Sequence, residues 1–250
     1  MSSRLTRTVV RFFIPAWVDP TKRPAQADVR WTAIAGGIGD EATWERVRSQ
    51  VTAAGLVLGS AGPDDAPAVQ ALLPLLARSL AEQWGGCSIS VQQEPFTAEA
   101  TPERLWAYRI NRSVVAKPGA DQATWAMERA FPAGEPREAY EADAARRLTA
   151  ALHREAATWG VDLPQDGPLL TVLDAGRPMV LPGLKGGQAV LARLGMLVAG
   201  HVRLDGLWSA GPLARLGFGW LERTHVPREI GASSARRLAT RSYDPAENCL

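Results

Sequence analysis

Glycine and proline cut this chain of 250 residues into short pieces, and most of the pieces read as strands. Residues 6–14 (TRTVVRFFI) mix β-branched and aromatic side chains and stop at Pro15, the pattern of a first strand. Runs of similar character at 87–93, 105–115, 169–173, 179–184, 197–205 and 218–222 are separated by glycine and proline. Residues 190–198 fit strand or helix, because a short apolar run does not fix its own period. A fold assembled from so many short strands must interleave them with helices or close them on one another.

Three stretches have helical spacing. Asp40 is placed to cap a helix over 41–54, with Trp44, Val47 and Val51 on one side. Residues 68–84 set Leu72, Leu73, Leu76 and Leu80 on one face, with Pro74 in the early turns or at a kink. Residues 137–159 gather Ala145, Leu148, Leu152, Ala156 and Trp159 within an arc of roughly 80°. Arg146, Arg147, His153 and Arg154 fall opposite, so this helix has one packing face and one cationic face. The segment 15–31, with three prolines and a basic cluster, reads as a loop. The order strand, helices, two strands, helix, strand is the βαββαβ pattern of a ferredoxin-like unit. The expected fold is therefore α+β: a first module over 1–175 that carries the helical insertions and the 137–159 helix, then a strand-rich module over 176–250.

Apolar residues make up 46% of the chain and charged ones 22%, which excludes a disordered or collagen-like polymer. No run of eighteen apolar residues occurs to span a bilayer. The apolar stretch 9–18 is broken by Arg11 and lacks a small-residue cleavage site, so a cytoplasmic protein without a membrane partner is expected. Cys87 and Cys249 form neither a disulfide framework nor a Cys-x-x-Cys pair, and no metal or cofactor is implied.

Of the 28 basic residues three are lysine (Lys22, Lys117, Lys185), which leaves 25 arginines. Guanidinium forks grip phosphate oxygens and stack on bases, although a GC-rich coding sequence produces the same excess without selection for a ligand. Both chain ends are locally basic: Arg4, Arg7, Arg11, Lys22, Arg23 and Arg30 near the start, Arg228, Arg236, Arg237 and Arg241 near the end.

Three glycine clusters stand out. GGIGD at 36–40 opens a predicted helix but is not GxGxxG, and a structural turn accounts for it. LPGLKGG at 181–187 sets Lys185 among glycines that could cradle a backbone phosphate, without the GxxxxGK[ST] of a P-loop. The third, SAGPLARLGFGWLE at 209–222, runs from a glycine-rich loop into a strand. It resembles the glycine-rich loop of the CRISPR repeat-associated RAMP superfamily, a Gly-Φ-Gly, five residues, then Gly-Φ-Gly before the last strand. Gly211, Gly217, Phe218 and Gly219 match that spacing, Arg215 stands where the family keeps a basic residue, and Ser209 replaces the first glycine.

That resemblance implies two ferredoxin-like modules and, for members of this length, an endoribonuclease that processes precursor CRISPR RNA beside a repeat hairpin. Such enzymes work without metal, the 2′-hydroxyl attacking the adjacent phosphate. The chemistry needs a base, cations for the phosphorane and an acid for the 5′ oxygen. Many members place a histidine soon after the first strand, but residues 15–38 here contain none, and the only histidines are His153, His201 and His225. The loop offers Lys22, Arg23 and Arg30 instead. Arginine cannot act as a base near neutrality, so such a site stabilises charge and is slow, which suffices for an enzyme that retains its product. This arginine-rich, histidine-poor pattern is most similar to the type IV branch.

The expected catalytic residues are Arg23, Arg237 and Arg241, with His225 as the nearby group that titrates near neutrality. Expected RNA contacts are Arg30, Arg146, Arg147, Arg154, Lys185, Gly211, Arg215, Gly217, Gly219 and Arg236. Trp17, Trp31, Trp208 and Trp220 lie near the basic or glycine-rich segments and could stack on an unpaired base. The implied partners are CRISPR repeat RNA and other CRISPR effector subunits. Two alternatives stay open: a RAMP subunit that binds guide RNA without cutting it, and an α/β enzyme using a glycine loop for a small phosphorylated substrate.

Overall fold

The computed structural model describes residues 5–25, 28–116, 137–165, 167–184, 188–211, 214 and 217–225. The first unit comprises β1 (Thr6–Phe13), α1 (Asp28–Ala35), α2 (Glu41–Glu45), β2 (Val47–Val51), β3 (Gly55–Ser60), α3 (Ala66–Trp84) and β4 (Ser88–Pro95). Its sheet is antiparallel in the order β2-β3-β1-β4, so βαββαβ is complete by residue 95. Val10, Phe12, Leu56 and Leu58 from the sheet pack on Trp44, Val69, Leu72 and Leu76 from the helices.

The sequence pattern had assigned two of these segments differently. Asp40 caps α2 as expected, its Oδ1 accepting from the Thr43 N–H at 2.8 Å, yet the helix ends at Glu45 and the chain turns into β2. Val47 and Val51 satisfy a helical i, i+4 spacing and a strand alternation equally well. Pairing with β3 decides for the strand: at Gly55 the backbone runs so close to β1 that a Cβ would lie 1.8 Å from the Phe12 carbonyl oxygen. The segment expected to be a loop after β1 holds two 3₁₀ turns, Pro15–Val18 and Pro20–Lys22, and then α1.

The second unit comprises β5 (Thr97–Ala100), β6 (Trp106–Ala116), α4 (Arg137–Trp159), β7 (Thr171–Asp174), β8 (Arg177–Leu184), β9 (Gln188–Gly200), β10 (Val202–Asp205) and β11 (Leu221–Thr224). The sheet order is β11-β6-β9-β7, with β8 alongside the other half of β9. The ambiguous run at 190–198 is thus strand. β7 and β8 act as one edge strand bent at Gly176, where φ is +68° and a Cβ would meet the Leu194 carbonyl at 2.4 Å. With β7 and β8 counted together, the order repeats that of the first sheet. The second helix of the ferredoxin pattern is replaced by β10, which pairs with β5, and by the glycine-rich loop. The α4 stripe packs as its spacing predicts: Leu148, Leu152, Ala156 and Trp159 join Tyr108, Ile110, Met196 and Val198 in one core.

The first sheet is complete with β4, and the 137–159 helix packs on β6 and β9 of the second sheet. The β2–β3 hairpin carries no local signal, which is why the sequence pattern reads β4 and β6 as the middle strands of a single longer module over 1–175. The two units are joined across the second face of the first sheet. Arg7 of β1 is buried there against Glu155 of α4 at 2.6 Å, its guanidinium 4.5 Å from the Phe96 ring centre and 4.7 Å from that of Trp159. It also donates to the Leu207 carbonyl, and Arg48 reaches the same carboxylate at 3.4 Å. Beside this pair, Val9 and Val57 pack on Leu207 and Trp220. Among the described residues no helix is long and apolar enough to cross a membrane.

Candidate active site

The loop after β1 is shaped by its own side chains. Asp19 caps the second 3₁₀ turn by accepting from the Thr21 N–H at 3.0 Å and the Thr21 hydroxyl at 2.7 Å, bonds that hold its carboxyl below the usual carboxylate range. The turn delivers Arg23 to the front of the β2–β3 hairpin. Arg23 donates through Nε and Nη2 to the Trp17 carbonyl at 3.2 and 3.0 Å, and through Nη2 to the Ala53 carbonyl at 2.9 Å.

The glycine-rich loop approaches from the second unit. The Gly219 N–H donates to the Arg112 carbonyl of β6 at 2.8 Å, and the Gly219 carbonyl accepts from the Ala210 N–H at 2.8 Å. Both bonds require the loop to pass flat against its neighbours. At Gly219, where φ is +78°, a Cβ would sit 2.3 Å from the Ala210 carbonyl oxygen, so only glycine fits without a shift. Gly217, also at positive φ, closes the turn with an N–H to the Ala214 carbonyl at 2.9 Å.

Between these two segments lies a cleft of about 400 Å³, with Arg23, Gln50, Arg112, Gly217, Trp220 and Glu222 in its lining. It sits on the seam between the units. Arg112 is half-buried, and its pKa is lowered first by burial and then by the charge of Arg23. A guanidinium stays protonated under such pressure, so the cleft is lined by two cations. Such a pair gains most from an anion that bridges it.

Arg23, expected as catalytic, and Gly217 of the glycine loop, expected as an RNA contact, meet here. His225 is exposed just beyond β11 and does not line the cleft. Arg237 and Arg241 fall outside the described residues, as do Lys185, Arg215 and Arg236. Arg30 departs from expectation: it is buried on α1, paired with Glu45 at 2.9 Å, because α1 folds back on α2 where a loop had been expected. Its guanidinium is a packing element of the first unit. Arg146 and Arg147 lie on the outer face of α4, both paired with Asp143, and Arg154 is exposed on the same helix. Gly211 begins the loop at φ +133°.

Three of the four tryptophans near the basic segments are core residues, and the fourth, Trp31, is half-buried with the Arg30 guanidinium 5.3 Å from its ring centre. Trp17 meets Trp84 edge-on at 5.9 Å, Trp208 stacks on Phe96 at 4.2 Å, and Trp220 is buried on the first sheet. None of these three presents a free ring face to a base. Sequence reasoning missed Arg112 and Glu222, which resemble ordinary polar positions of alternating strands. Glu222 pairs in register with Arg109.

No family model matches the chain, and no curated protein matches it. Solved structures do. Csf5, described as a CRISPR-Cas type IV Cas6 crRNA endonuclease, aligns with a TM-score of 0.61 and 17% identity over 88% of this chain and 100% of its own. Two Cas6b structures, one described as a CRISPR RNA processing endoribonuclease, align with TM-scores of 0.55 and 0.54 and identities of 9% and 10%. Each covers 88% of this chain, and the alignments span 98% and 100% of theirs. Alignments of this extent carry the conclusion: this chain has the fold of the solved Cas6-type CRISPR RNA endonucleases.

Proposed function

We propose that this protein is a CRISPR precursor-RNA processing endoribonuclease that binds a repeat hairpin, cleaves it without metal through the 2′-hydroxyl and retains the product. The observation that supports this most is the meeting of Arg23 and the glycine-rich loop in one cleft, on a fold shared with crRNA endonucleases. In the reaction the 2′-oxygen attacks phosphorus and the bond to the 5′-oxygen breaks. The 2′-hydroxyl proton passes to solvent and the 5′-oxygen takes one from solvent. Arginines supply the electrostatic part, holding the phosphate and the charge that grows on it. Removing one such donor costs on the order of 10²–10³ in rate. Arg237 and Arg241 remain part of this proposal as further cations, and other effector subunits as partners of the retained product.

Purified protein incubated with repeat RNA in EDTA tests the reading. Cleavage to a 2′,3′-cyclic phosphate or 3′-phosphate, blocked by a 2′-deoxy sugar at the cut, is the expected result; cleavage of the 2′-deoxy substrate overturns the route. Full activity of His225→Ala identifies the arginine-only version. The second reading, a subunit that binds guide RNA without cutting it, is favoured by the absence of histidine from the described lining of the cleft, and predicts tight binding with intact RNA.

A further inference from the structure

Arg23 and Arg112 are not equivalent. Of the five N–H donors of a guanidinium, Arg23 commits the one on Nε and both on Nη2 to the carbonyls of Trp17 and Ala53. Its Nη1 alone makes none of these bonds, and Arg23 lines the cleft. Arg112 has no carboxylate or carbonyl partner among the described residues, and the charge that acts on it is the like charge of Arg23. Its backbone, by contrast, is firmly held. β6 lies inside the second sheet, Arg112 is in register with Leu194 of β9, and its carbonyl receives the Gly219 N–H. A rigid pedestal with an uncommitted planar fork is what bidentate phosphate recognition requires.

We propose that Arg112 is the principal cation on the RNA phosphodiester held in this cleft, gripping two of its oxygens, while Arg23 positions the loop after β1 and adds only the two N–H groups of one nitrogen, Nη1. The inference rests on the endoribonuclease reading for the identity of that phosphodiester as the scissile one. It predicts different losses at the two arginines. Arg112→Ala and Arg112→Met, the second keeping most of the buried volume, should each lower the single-turnover cleavage rate by about 10²–10³. Arg112→Lys should recover part of the rate, because an ammonium is a point charge without the fork. Guanidinium ion added at low millimolar concentration should raise the rate of Arg112→Ala and leave Arg23→Ala unimproved, since the latter lacks a tether as well as a charge.

The experiment measures cleavage of a repeat-hairpin RNA by folded wild type and these variants, together with the salt dependence of binding to the same RNA carrying 2′-deoxy sugar at the cut. Wild-type cleavage with Arg112→Ala and Arg112→Met within threefold of it overturns the role of Arg112 and leaves the endoribonuclease reading standing. A wild type that binds but never cleaves overturns that reading instead. The phosphate contact is then judged by the salt slope, where a fall of roughly 0.7–0.9 in the Arg112 variants supports it and an unchanged slope overturns it.

Discussion

Replacing Glu155 by alanine should loosen the whole molecule although the residue does not line the cleft. Glu155 and Arg7 are 5% and 1% exposed, so the substitution strands a guanidinium out of water with the Leu207 carbonyl and two ring faces as its remaining partners. Breaking a buried ion pair in this way costs about 3–5 kcal/mol. For a chain of this size each kcal/mol is about 2–4 °C, hence a fall in Tm of roughly 6–20 °C. Urea denaturation followed by tryptophan fluorescence reads it directly, because Trp159 lies against the guanidinium. The double variant Arg7→Met with Glu155→Leu removes both charges and should return most of the lost stability, as apolar replacements of buried pairs do. A single-variant loss below about 1 kcal/mol, the range of an exposed pair, or a double variant no better than the single, would refute the view that this pair is buried and locks the units together.

Gly219→Ala forces a Cβ to within 2.3 Å of the Ala210 carbonyl at positive φ; backbone strain alone is about 1–2 kcal/mol, and denaturation as stable as wild type would count against the loop geometry. Tyr108 donates to the Val202 carbonyl at 2.9 Å and accepts from the Leu204 N–H at 2.8 Å, and burial raises its pKa to about 12. A raised folded-state pKa gives stability that is complete below the unfolded value of about 10 and is lost as pH climbs toward 12, so the stability advantage over Tyr108→Phe, about 1–3 kcal/mol near neutrality, should shrink across that window. A constant difference in Tm between pH 9 and 12 would contradict it. If Arg146, Arg147 and Arg154 grip hairpin phosphates, the triple alanine variant should flatten the salt dependence of RNA binding by roughly 0.7–0.9 per lost contact, and an unchanged slope returns that helix face to solvent.

How far a chain can be read depends on whether the signal is local. The α4 stripe, β1 and the glycine loop announce themselves through periodicity or through a backbone path only glycine can take. The β2–β3 hairpin does not: Val47 and Val51 obey two periods at once, and the contact that decides between them, Gly55 against Phe12, crosses from one strand to another. The site divides the same way. Arg23 drew notice because it lies in the loop after the first strand, where the resembled family keeps catalytic residues, and the structure puts it in the cleft lining. Arg112 drew none, because its place in that lining depends on what lies across the seam and one arginine in a strand carries no local mark. Arg30 misled for the opposite reason, its cluster suggesting a surface that α1 buries.

The placement of the last strand has a consequence for biosynthesis. The first unit is contiguous and closes by residue 95, so it can fold while the rest of the chain is still being made. Its second face, with Arg7 and Val9, must then wait for Glu155, Leu207 and Trp220. At ribosomal rates the interval between residues 95 and 220 lasts roughly 6–25 s, during which an arginine and an apolar strip destined for burial face solvent or a chaperone. The cleft is finished at the same stage, because Gly217, Trp220 and Glu222 complete its wall. A nascent chain arrested before that point would carry a folded ferredoxin-like unit and Arg23, but no enclosed place to hold a phosphate.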